Sequence, residues 1–256
     1  MMKNLEYNIF IILPILSIVL FVSLVSIAMI TYDGGNAVDN FSYGYSFSLN
    51  YLSDLGRDIG YSGKNNQMSF YTFNLSLIII GISFLIYFLF LPSLHNISPA
   101  SFMLSRIGGI FGCFASVCFA GVGLTPSDLY FDLHVFFANW VFRSMSLAVF
   151  FYSLTFLLIN KENIILSLIF FSSGLIVLSH IIIADFDFAL YMSNPHNAKV
   201  LSQKAAVIAM IFMVPLMAII NLKQLNDQKI SLRVFAVSYT HLRAHETRED
   251  RGWRGV

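Results

Sequence analysis

The chain has 256 residues, 57% of them hydrophobic and 11% charged, with 15 Lys and Arg set against 14 Asp and Glu. A soluble domain carries about 25% charged residues, and a chain with a mean hydropathy of +0.73 could not hide its apolar surface from water. Composition therefore excludes an ordinary water-soluble domain and points to an all-α, polytopic integral membrane protein, a six-helix transmembrane bundle; the near-balanced charge gives nucleic acid nothing to bind.

The first apolar run, 9–30, follows Lys3 and is long enough to cross about 30 Å of hydrocarbon at 1.5 Å per helical residue. No small-residue cleavage site clearly follows it, so it reads as a span and not as a removed signal peptide. The polar stretch 31–70 comes next and contains Asn50-Tyr51-Leu52-Ser53-Asp54-Leu55-Gly56. Aromatics at Phe41, Tyr43, Tyr45, Phe47 and Tyr61 flank it, residue types that favour a membrane interface. Ser53-Asp54 before a nearby glycine suits a helix cap or turn, and equally the roof of a pocket.

Spans two and three are expected at 71–91 and 103–124. In the third, Gly108, Gly112, Ser116 and Ala120 recur every four residues, with Gly109, Cys113, Val117 and Gly121 beside them. Rows of small residues let helix backbones approach closely, which makes this the expected central packing helix. Cys113 and Cys118 fall on different faces of the same run and suggest neither a disulfide nor a zinc framework.

Span four is expected over 126–159, because Thr125-Pro126-Ser127-Asp128 puts Thr at the N-cap, Pro at the first helical position and Asp at N3. At about 51 Å such a helix must tilt or project beyond the hydrocarbon. Arg143 sits about 17 positions into it, where a charge costs about 2.5–3.5 kcal/mol on insertion scales. Asp132, Asn139, Arg143 and Ser146 share one helix face. Asp132 is too far along the helix to reach Arg143, so a partner is expected from another helix. A structural ion pair and a ligand contact both fit.

Span five is expected over 164–184 and span six over 205–222, the latter kinked at Pro215. His180 near the end of span five, Asp185, Asp187 and His196 join His134, Asp54, Asp128 and Asp132 on one side of the membrane. These residue types bind divalent metals or serve as acid and base, and interfacial solvation accounts for most of them as well. His134, His180 and Asp185 are the candidate metal ligands, although no fixed-spacing ligand motif occurs and no cofactor is assigned.

Lys3, Arg106, Lys161, Lys223, Lys229 and Arg233 on one side outnumber Arg57, Lys64, Lys199 and Lys204 on the other. The excess predicts a plasma or inner cell membrane location with both termini in the cytoplasm. Val237 to Thr247 resembles the translation of a sequencing-library transposase adapter, so 237–256 is expected to be a non-native tail behind a six-span domain at 1–236.

Leu52-Ser53-Asp54-Leu55-Gly56, Phe73-Asn74, the run Gly121-Val122-Gly123-Leu124-Thr125-Pro126-Ser127-Asp128, and His134 together resemble a family of prokaryotic six-span membrane proteins known as domain of unknown function nine-nine-eight. A more distant likeness is to the eukaryotic Frag/DRAM membrane proteins, some of which are linked to lipid remodelling. The resemblance implies roles for Ser53, Asp54, Gly56, Asn74, Pro126, Asp128 and His134, but no reaction; Asp185 and Asp187 match nothing in it. The leading expectation is a bundle with an outward-facing cavity for a lipid headgroup or small polar ligand, floored by Arg143 and rimmed by His134, Asp132, Asp54 and His180, with Asn139, Ser53 and Asp128 nearby. A metal-assisted lipid hydrolase at the outer face and a small transporter are the alternatives, the latter lacking any inverted repeat. Membrane lipids are the expected partners, and the oligomeric state is open.

Overall fold

Six helices of the computed structural model are long and apolar enough to cross a membrane: α1 (Asn4–Thr31), α2 (Gln67–Leu94), α3 (Pro99–Leu124), α4 (Phe131–Ile159), α5 (Ile164–Asp185) and α6 (Pro195–Asp227). The structure describes residues 2–159, 164–186 and 188–249, with side chains over 4–159, 164–186 and 188–227. Lys161, Asp187 and the end of the 237–256 tail lie outside the described residues, and Lys3, Lys229 and Arg233 outside the described side chains. The chain is thus a multi-pass membrane protein, and large apolar side chains such as Ile82, Leu89, Ile110, Leu168 and Phe212 point outward, as a lipid-facing surface requires.

Consecutive helices are antiparallel neighbours, joined by short connections except for 32–66 between α1 and α2, and each packs extensively on the next from α1 to α6. The ring closes where α6 returns to α1, and that last seam is packed far more thinly than any consecutive pair. One end of the ring is covered by segment 32–66 and also carries the 125–130 connection and the segment 188–194. We call it the capped end.

The small residues of α3 serve both its neighbours. Gly109 and Gly112 receive Phe88 of α2, while Gly108 and Gly121 receive Tyr152 and Phe137 of α4. Gly81 of α2 completes the approach, since a Cβ there would stand 2.7 Å from the Ser116 carbonyl oxygen and 3.0 Å from the Ala120 methyl. In α1, a π-helical turn over Asn8–Ile12 precedes Pro14, whose missing N–H and ring interrupt the regular ladder.

α1, α2 and α3 start four or five residues before the expected apolar runs, and two further helix starts differ for a reason the fold supplies. α4 begins at Phe131, five residues after Pro126. Thr125 closes α3 instead of opening α4, its hydroxyl donating to the Gly121 carbonyl at 2.7 Å, and 126–130 form a turn in which the Leu129 and Tyr130 N–H groups donate to the Pro126 carbonyl. The physical reason is that Asp128, expected to cap its own helix, spends its carboxylate on the backbone of 58–59. α6 begins at Pro195 and not at 205, because its first turns carry His196, Asn197, Lys199, Ser202 and Lys204, which hydropathy does not register as part of a span.

Candidate functional site: an apolar chamber beneath a polar cap

The cap is organised around the 3-10 turn Leu52–Gly56. Asp54 stabilises the start of this turn through Oδ2, which accepts from the Tyr51 N–H at 2.9 Å and from Asn50 Nδ2 at 3.1 Å. Asn50 also donates to the Gly35 carbonyl and accepts from the Ser46 N–H, tying two further loop strands to the same point. From α2 and the residue before it, Asn66 donates to the Leu55 and Arg57 carbonyls, Ser69 to Leu55, and Asn74 to Gly56 at 3.0 Å. From α6, Gln203 accepts from the Leu52 N–H at 2.9 Å, Lys204 donates to the Asn50 carbonyl, and His196 bonds the Leu49 carbonyl. Gly56 leaves room for these side chains to close over the turn, since a Cβ would stand 2.6 Å from Asn74 Oδ1 and 2.8 Å from the Phe73 ring.

Enclosure has an electrostatic consequence. Asp54 is 4% exposed, and burial, opposed by its bonds from Asn50 and Tyr51, pushes its carboxyl up to about 6. Burial and the neighbouring Asp54 likewise push the Tyr32 and Tyr45 phenols upward.

The remaining candidates fall into two other neighbourhoods. Asp128 accepts from the Asp58 and Ile59 N–H groups at 3.2 and 3.0 Å, joining the α3–α4 elbow to the cap. His134, close by, bonds the Thr125 carbonyl through Nδ1 at 2.7 Å. A carbonyl can only accept, so Nδ1 carries a proton, and Nε2 is buried without a hydrogen-bond partner among the described residues. Asp132 is exposed on the first turn of α4, and Asn139 is half-buried.

In the second neighbourhood Arg143 pairs with Asp185 of α5, its Nε and Nη2 both 2.9 Å from Oδ2, with the guanidinium 5.6 Å above Trp140. The expected partner from another helix is therefore Asp185, one of the candidate metal ligands. Arg143 is not a buried floor: its side chain is 39% exposed. Counted from Ile159, it stands about 24 Å along α4, near the far edge of a hydrocarbon layer about 30 Å thick. His180 bonds Ser202 through Nδ1 at 2.9 Å and lies against Phe142, with ring centres 4.5 Å apart. Among the described residues, no three His, Cys, Asp or Glu side chains come together as a metal site would require.

Below the Leu52–Gly56 turn the ring encloses an apolar chamber of about 100 Å³ walled by all six helices. Leu52, Ser53 and Gln203 bound it at the capped end, and Phe88, Tyr152 and Met217 lie further down. Met145, Met210, Met213 and Met217 stand in the wall among a larger number of phenylalanines, flexible and polarizable side chains that adapt to shape. Of the candidate ligand-binding and metal residues named from sequence, Ser53 alone lines this space among the described residues, beside the motif residues Leu52, Phe73 and Val122. A second hollow of about 150 Å³ occupies the capped half of the α1–α6 seam and shares Phe21, Leu52, Val207 and Ile211 with the chamber.

Sequence reasoning missed Asn50, Asn66, Gln203 and the structural role of Lys204, which entered only as a topology marker. The one available signal was Lys204 itself, a cation on the threshold of an apolar run. Comparison of the chain with protein-family models, curated proteins and solved structures finds no match.

Proposed function

We propose that the protein binds a membrane lipid, taking the end of one hydrocarbon chain into the central chamber through the α1–α6 seam. The observation that carries this reading is an apolar space inside the bundle that adjoins the ring's thinnest joint. A void of about 100 Å³ costs roughly 2 kcal/mol in lost contacts at about 24 cal/mol per Å³. Water does not relieve that cost in an apolar cavity. In a bilayer, acyl chains are the apolar groups at hand, and the volume admits the end of one chain.

The orientation of the protein is part of the same proposal. The capped end faces outward and both termini lie in the cytoplasm of a cell membrane, supported by the Lys and Arg excess near the opposite end. So is the likeness to the domain-of-unknown-function family, supported by the way its motif residues meet: Asn74 holds Gly56, and Asp128 holds the backbone just beyond it. The lipid headgroup or small polar ligand expected above Arg143 gives way here to a hydrocarbon chain end in the chamber, because Arg143 does not line that space.

The test is lipid extraction and mass spectrometry of protein purified in mild detergent, comparing the parent with Ala148→Phe. Ala148 is 1% exposed and lines the chamber, so a phenyl ring there fills the space a chain end would take. Parent protein retaining close to one lipid per chain, with the variant losing it and staying folded, is the expected result. Equal lipid content in the two proteins would refute the reading, as would a parent that carries none.

A further inference from the structure

We infer that the lipid held at the α1–α6 seam is an anionic phospholipid whose phosphate contacts the Lys204 ammonium; this rests on the chamber reading above and adds the chemistry of the headgroup. The hollow in the seam is lined by Phe21, Val25, Met29, Phe47 and other apolar residues, and Lys204 is its one charged lining residue. Ser26, also in the wall, uses its hydroxyl on the Val22 carbonyl at 2.7 Å.

Lys204 is 2% exposed, a costly setting for a cation unless its ammonium is compensated. Its Nζ donates to the Asn50 carbonyl and lies 5.5 and 5.1 Å from the Tyr45 and Phe47 ring centres. An ammonium has three N–H donors, and these contacts give it one hydrogen-bond acceptor. Among the described residues no carboxylate comes within ion-pair distance of it. Asp54, the nearest in effect, has its Oδ2 engaged by Tyr51 and Asn50. Phe47, which covers the ammonium, is itself 53% exposed and sits in the cap, so it can move aside without disturbing a helix.

The depth also suits a headgroup. Lys204 lies about 14 Å into α6 from Pro195 and directly precedes the apolar run 205–222, which at about 27 Å accounts for most of a hydrocarbon layer about 30 Å thick. Its ammonium therefore stands at the headgroup level of the capped end while the hollow beneath it continues toward the chamber through shared walls. One molecule can place its phosphate at Lys204 and its chain end inside the ring. A zwitterionic lipid brings its own cation to the same place, and the hollow offers that cation no carboxylate.

Nanodiscs made from equal parts phosphatidylglycerol and phosphatidylcholine with matched chains provide the test, with native mass spectrometry reading the lipids retained on release. Wild type is expected to retain phosphatidylglycerol over phosphatidylcholine in a ratio of about five to one, the weight of one interfacial cation on an anionic lipid. Lys204→Gln should still retain a lipid but without enrichment, and Lys204→Arg should keep it. A wild type that retains lipid without preference, or a Lys204→Gln protein as selective as wild type, overturns the headgroup assignment and leaves the chamber standing. A wild type that retains no lipid overturns the chamber reading itself. Loss of the enrichment on adding inorganic phosphate at the ionic strength of a chloride control would identify a free-phosphate site and overturn the lipid assignment. Should Lys204→Gln not fold, Lys204→Arg decides the matter beside the wild type: a folded Lys204→Arg protein that retains lipid without preference rejects the assignment, and one that keeps the wild-type ratio supports it.

Discussion

Asp54→Asn should flatten the pH dependence of stability in a way that can be worked out beforehand. Burial is the largest influence on this carboxyl and raises it from 3.8 to about 6 in the folded protein. The folded state therefore holds a proton over a range where the unfolded state has released it. The stabilisation is fully present below about pH 3.8 and is lost as pH rises through 6. Between pH 7.5 and pH 5 the wild type gains about 1.4 kcal/mol from this group, the value of one pH unit below the folded pKa. For a chain of this size that is roughly 3–6 °C in Tm. Asparagine keeps the shape of the side chain and cannot titrate. Thermal denaturation in detergent at the two pH values, read by light scattering, should show the wild-type shift exceeding the variant's by that margin in the direction of greater stability at pH 5. Parallel shifts in the two proteins would mean that Asp54 is ionised throughout and that the cap is built on a charge, which refutes the reasoning.

The Arg143–Asp185 pair, half in solvent or headgroups, should show a coupling of about 0.2–1 kcal/mol in a double-mutant cycle of Arg143→Ala and Asp185→Ala; a coupling above 3 kcal/mol would place it in a far drier setting than its exposure indicates. Gly81→Val should lower stability by at least about 1–3 kcal/mol, since the added carbons meet the Ser116 backbone and not a side chain that could yield. The neighbouring lipid-facing Ile82→Val should change it by less than about 0.5 kcal/mol in the same melts. Asn74→Leu leaves the buried Gly56 carbonyl unsatisfied and should cost about 1–3 kcal/mol, visible as a lower Tm and earlier proteolysis within 32–66.

What the sequence displayed best was whatever depends on local composition. The spans show as long apolar runs, and the role of α3 shows because glycines four residues apart have one plain use in a membrane. The need for a partner to Arg143 was legible from the cost of a lone charge, but its depth was not. Counting began at Pro126, and the true helix starts five residues later and extends past the hydrocarbon. The start of α4 was misplaced because Asp128 had two possible acceptor roles, and only the fold brings the 58–59 N–H groups within reach. The cap was illegible for a related reason. Asn50, Asn66 and Gln203 are uncharged, follow no fixed spacing, and act on backbone groups as much as 151 residues away, whereas Asn74 is named only through the family resemblance. The chamber has no signature at all, since a space is defined by side chains that are too short to meet.

The hydrogen bonds made by α6 carry a consequence for how the protein is assembled. Antiparallel neighbours from α1 to α5 can pair in the order in which they leave the ribosome, each waiting only for the next. The last helix is different: Gln203 and Lys204 complete backbone groups near residue 50, and Asn221 bonds His95, Tyr87 and the Phe10 carbonyl at the other end of the bundle. Until synthesis has passed Asn221, these groups have no mate and the first helix has only one neighbour. The final span acts as a clasp fastened at both ends. A ribosome that stops before it would release a protein inserted in the membrane yet still open along one side, a natural substrate for quality control.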